Sequence, residues 1–153
     1  MVRKGRTVIV IFTDADACPV KADIDRIAQS YQIASYFVFT FSHISSAEYY
    51  SKSIMLDAEP EAVDMYIINH VKAGDVVITQ DNGLAAVALQ KEAVVLSPRG
   101  RQFQSHEIDG LLLSRYEGIQ MKRGKVKRKS TSSFSRKDRE RFVHALTTCL
   151  TNV

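Results

Sequence analysis

Asp14 and Asp16 stand one residue apart at the end of an apolar run, in the stretch VIVIFTDADACPV that begins at Val8. Two carboxylates this close repel each other unless a cation or a shared proton lies between them, so the pair is either solvated or part of a site. Asp64 and Asp81 extend the question. In a helix opening at Pro60, positions 64, 67, 68 and 71 share one flank, and the other three are Ile67, Ile68 and Val71. A carboxylate inside an apolar stripe is expensive to bury unless it is paired or coordinates a metal, or else it stands at the stripe's edge. Three or four aspartates with no histidine or cysteine beside them favour a hard, oxygen-seeking cation, Mg²⁺ or Mn²⁺, over zinc. Two such ions about 3.5 to 4 Å apart activate a water and stabilise the leaving oxygen of a phosphodiester. Asp14 and Asp16 would repel each other until such a cation neutralised them.

Two polar residues could assist. Thr79 lies two positions before Asp81 and could orient a metal-bound water, although a β-branched residue there is equally a strand former. Arg99, in SPRG, could clamp a phosphate. His43, His70, His106 and His144 show no metal-ligand spacing. Cys18 and Cys149 form no CxxC pair and signal neither a zinc site nor a disulfide framework.

These residues need a scaffold that gathers them. Strand-like runs (TVIVIFT from Thr7, ASYFVFTF from Ala34, SIML from Ser53, GDVVIT from Gly74, AVVLS from Ala93) alternate with helical patterns. The helices are expected from Pro19 to about Ser30, after Pro60, at NGLAAVALQK from Asn82, at SHEIDGLLLSRY from Ser105 and at SRKDRERFVHAL from Ser135. In the last, Ser135 and Asp138 have capping-box spacing. Such alternation predicts an α/β fold in three layers, a mainly parallel central sheet flanked by helices. The loops after parallel strands share the carboxyl edge of the sheet, where ligands bind. That edge would collect Asp14, Asp16, Asp57, Asp81 and Arg99.

The 153-residue chain is 45% hydrophobic and 25% charged, the composition of one ordinary domain with a real core. We expect an α/β unit with the acidic site over 1–116, and over 117–153 a basic linker and a terminal helix belonging to the same domain. The formal charge of +4 is unevenly spread: residues 115–141 carry +8 and the remainder −4. Within EGIQMKRGKVKRKSTSS, from Glu117, the residues Lys122, Arg123, Lys127 and Arg128 are placed to meet phosphates, with salt-sensitive binding, unless the segment is simply a solvated linker. RNA is the expected partner. No run approaches the roughly 20 apolar residues of a membrane span, and the N-terminal run is too short for a signal peptide, so the expected location is the cytoplasm.

DADACPVK, GDVVITQDNGLAAVALQKEAVVLSPRG and FSRKDRERF resemble the YaiI/YqxD family of bacterial proteins over essentially the whole chain. The resemblance implies a PIN-like domain, a metal-dependent ribonuclease fold, in which Asp14, Asp16, Asp64 and Asp81 would hold the metal with Thr79 beside them. The chain departs from the family's usual Gly-Pro segment before the terminal Phe, where it has KRKSTSSF. VIVIFTDAD also resembles the strand ending in DxD of haloacid-dehalogenase phosphatases, and a non-catalytic RNA- or protein-binding module of the same fold is the other alternative.

Overall fold

The computed structural model of the chain describes residues 8–40, 48–59, 61–122 and 133–151. Its strands are β1 (Val10–Asp14), β2 (Ala34–Thr40), β3 (Lys52–Leu56), β4 (Val76–Ile78), β5 (Val94–Leu96) and β6 (Gln102–Phe103). The helices are α1 (Lys21–Ser30), α2 (Ala62–His70), α3 (Asn82–Gln90), α4 (Ile108–Lys122) and α5 (Arg136–Thr151). The six strands form one sheet in the order β3-β2-β1-β4-β5-β6, with every pairing parallel except the β5–β6 edge. Connections lead outward to β3 on one side and to β5 on the other. The direction therefore reverses between β1 and β4, the switch point at which open α/β sheets leave a crevice.

Each sheet face feeds its own core because successive side chains alternate. Phe12, Val38, Val77 and Val95 pack with Val63 and Ile67 of α2, Leu84 and Leu89 of α3, and Leu111 of α4. On the other face Ile11, Phe37, Ile78 and Leu96 pack with Ile24 and Ile27 of α1 and Phe142, Leu146 and Leu150 of α5. The result is the three-layer α/β domain expected from the alternation of runs. Val76, Val77 and Ile78 are all buried, as a central strand covered on both faces requires.

The differences lie on the carboxyl-terminal side. The helix near residue 105 opens with a 3₁₀ turn, Ser105–Glu107, closed by a reciprocal Gln104–Glu107 cap, and α4 continues past Tyr116 to Lys122. Residues 117–122 are thus helical where a linker is expected. Arg123, Lys127 and Arg128 lie outside the described residues, and Lys122 is the last residue of α4. The two-residue strand β6 adds to the expected strands, since RQF carries no strand-length pattern. Among the described residues no helix is long and apolar enough to cross a membrane.

Candidate functional site

Asp14 is the last residue of β1, two beyond Phe12, and so is directed to the face covered by α2, α3 and α4. Next to it, immediately after β4, lies Thr79, 1% exposed. The Thr79 hydroxyl donates to Asp14 Oδ2 at 2.9 Å and accepts the backbone N–H of Asp81 at 2.9 Å. Asp81 in turn caps α3, its Oδ1 accepting the Leu84 N–H at 2.9 Å. One buried hydroxyl thus joins the two carboxylate-bearing loops across the β1–β4 switch point.

The Asp14 carboxyl is pushed up from 3.8 to about 6. Burial is the main cause; the Thr79 hydrogen bond opposes it, while the charges of Asp81 and Asp16 add to it. The same geometry explains why a cation would be welcome there.

Asp16 has a different setting. Its Oδ1 accepts the Thr40 backbone N–H and its Oδ2 the Thr40 hydroxyl, both at 3.1 Å, so it fastens the loop after β1 to the end of β2. Asp64 sits half-buried in the first turn of α2, which packs against β1 and β2, with Ile67 and Val71 buried on the same flank. Asp57 is exposed just beyond β3, at the outer edge of the sheet and two strands from Asp14.

Arg99 follows β5 on the carboxyl edge, as expected, but its guanidinium is engaged. Nη1 donates to Asp138 Oδ2 at 2.8 Å, and the group lies 5.8 Å from the centre of the Phe134 ring. Asp138 also accepts the Ser135 N–H at 2.9 Å, while its own N–H donates to the Ser135 hydroxyl at 3.1 Å, forming the capping box of α5. The Ser135 N–H first, and then Arg141 and Arg99, hold the Asp138 carboxyl below the ordinary range. Arg99 therefore straps α5 to the end of β5 instead of standing open to a phosphate.

Among the described residues, no group of three or more aspartates, glutamates, histidines or cysteines is gathered closely enough to hold a metal ion. The four-acid centre read from the sequence is not assembled as such. What the structure brings together is Asp14, Thr79 and Asp81, with Asp16 close enough for its charge to reach Asp14. That smaller donor set fits a hydrated Mg²⁺ or Mn²⁺, since Mg²⁺ keeps several waters and is commonly held by one or two carboxylates and substrate phosphates. Sequence reasoning missed Thr40, for which a threonine closing the β2 run at the same edge was the available signal. It placed Asp138 in the cap of α5, as found, but not as the partner of Arg99.

A family model described as "Uncharacterized BCR, YaiI/YqxD family" matches residues 12–152. A UPF0178 protein of Halalkalibacterium halodurans is 43% identical over 142 residues, covering 93% of this chain and 90% of that protein. One from Bacillus velezensis is 41% identical over 143 residues, 93% of this chain and 85% of its own, and one from Listeria monocytogenes is 37% identical over 142 residues, 93% and 95%. No solved structure matches. With the model spanning the sheet, the site loops and α5 alike, the chain belongs to the YaiI/YqxD family.

Proposed function

We propose that the chain hydrolyses phosphodiester bonds of RNA at the Asp14–Thr79–Asp81 edge, with Mg²⁺ or Mn²⁺ as its cofactor. The observation that carries this reading is the buried Asp14 carboxyl, disfavoured as an anion by its surroundings yet placed at the β1–β4 switch point between two further acids. A carboxylate so placed gains most from a cation. When bound, such an ion polarises a phosphoryl oxygen and lowers the pKa of a coordinated water.

The protein's own residues do the rest. Asp14 gives up its proton near neutral pH and presents the oxygen that Thr79 does not use. Thr79 fixes the angle of that carboxylate, and its bond to the Asp81 N–H sets the loop that carries the second acid. Asp16 positions the end of β2 through Thr40. Asp64 is the acid that α2 supplies on the same sheet face. Lys122, Arg123, Lys127 and Arg128 would draw in the phosphates by charge alone, without base preference.

The test is cleavage of an end-labelled RNA in Mg²⁺ or Mn²⁺ by wild type, Asp14→Asn and Asp81→Asn. The expected result is metal-dependent cleavage, reduced at least about 100-fold in both variants. Cleavage that persists in EDTA or in Asp14→Asn, or none by wild type, would overturn the reading. A second reading, a non-catalytic binding module, draws on one observation: Asp16 and Asp81 already accept local hydrogen bonds as a loop clasp and a helix cap. RNA binding that ignores both metal and Asp81→Asn, with no cleavage, would establish it instead.

A further inference from the structure

A groove runs along one side of α5. Near the carboxyl edge of the sheet it opens as a cavity of about 500 Å³ lined by Gly100, Lys137, Arg141, His144 and Ala145, together with Glu140. It continues as a space of about 370 Å³ that shares His144 and Ala145 and reaches Thr148, over Ile9, Val76 and Val94. Lys137, Arg141, His144 and Thr148 are spaced i, i+4, i+7 and i+11, so they form one face of the helix, about 16 Å long.

The groove has two chemistries. Its floor is largely apolar, from Ile9, Val76 and Val94 with Gln102 beside them, and its helical wall carries the exposed Lys137, Arg141 and His144, of which Arg141 is also paired with Asp138 at 2.6 Å. Glu140 on the same wall lies 3.7 Å from Arg136 as an exposed i,i+4 ion pair. The upper end is fixed. A Cβ on Gly100 would lie 2.6 Å from the Arg141 carbonyl carbon, so the helix backbone rests directly on the turn that follows β5. That turn belongs to the same sheet edge as Asp14 and Asp81, and Thr79 N–H donates to Leu96 O at 3.0 Å immediately before it.

A cationic wall over an apolar floor suits a single strand of nucleic acid, whose phosphates take the cations while base faces lie on apolar surface. A duplex hides those faces. We infer that the α5 groove is the track along which single-stranded RNA approaches the β1–β4 edge. The inference rests on the hydrolysis reading for the identity of the strand as substrate, and it adds a binding surface distinct from the acidic edge and from the 122–128 segment.

Fluorescence anisotropy of a labelled oligouridine in EDTA tests it with wild type, Lys137→Glu/His144→Glu, and Lys52→Glu. Lys52 is exposed at the start of β3, at the far side of the sheet from β5, so its reversal alters net charge without touching the track. Circular dichroism and a thermal melt verify that each variant is folded. Expected are a tenfold or greater loss of affinity in the double variant, a less than threefold loss in Lys52→Glu, and a shallower salt dependence only in the former. Equal losses per charge reversed, no binding by wild type, or displacement of the RNA by poly-glutamate at equal charge concentration would overturn it, the last by pointing to an acidic protein partner. Because binding is read in EDTA, where no metal-dependent cleavage runs, a chain that binds through the groove but cleaves nothing once Mg²⁺ or Mn²⁺ is supplied overturns the hydrolysis reading alone.

Discussion

At the scale of single residues, Asp14 is the most informative group. A carboxyl raised to about 6 favours the folded state while protonated and penalises it once ionised. The penalty is fully present above about pH 6 and disappears as pH falls towards 3.8, the ordinary value. Asp14→Asn keeps an acceptor for the Thr79 hydroxyl and removes the charge. In metal-free urea unfolding at pH 7.5 it should therefore be more stable than wild type by about 1–3 kcal/mol, with the advantage vanishing near pH 3.5. An Asp14→Asn variant less stable than wild type at pH 7.5 would mean that the ionised carboxylate is welcomed by its surroundings. Candidate types were legible from the sequence here, since acids closing apolar runs are conspicuous. Their partners were not: whether Asp16 faces Asp14 or Thr40 depends on loop conformation, including the left-handed Ala17 at φ 57°, which no pattern announces.

At the scale of elements, alternation of apolar runs was enough to place β1 to β5 and all five helices, because each long run is covered by a neighbouring helix. The misses are elements whose stability comes from elsewhere. β6 exists through two pairings with β5, and α4 extends beyond the apolar pattern that marks its beginning. The seating of α5 on the β5 turn makes a sharper statement. Gly74 and Gly100 both have positive φ, 88° and 91°, but only Gly100 is crowded, with nothing within 4 Å of a Cβ at Gly74. Gly74→Ala should cost about 1 kcal/mol, the backbone strain alone. Gly100→Ala should cost roughly 2–4 kcal/mol, since the methyl must push α5, and with it the buried Phe142, away from the sheet. Equal losses in urea unfolding would show that α5 does not rest on this turn.

At the scale of the whole molecule, charge and topology act together. The strand order places the reversal between β1 and β4, and the acids there face a chain whose excess positive charge is carried by 115–141. Composition made the asymmetry visible, and parallel topology made the common edge visible. The sequence could not show that Arg99 would be consumed by Asp138, or that the basic residues of α5 would line a groove, because both depend on how the terminal helix docks across more than thirty residues of intervening chain. The molecule thus carries aspartates at one sheet edge and basic residues along the exposed flank of α5.

Calorimetric titration of Mg²⁺ and Mn²⁺ into wild type, Asp14→Asn and Asp81→Asn decides whether Asp14 and Asp81 share a divalent cation. Wild type should show saturable binding that releases protons at pH 6, as Asp14 ionises, and both variants should lose that binding. No heat of binding in wild type, or undiminished binding in Asp14→Asn, would contradict a shared cation.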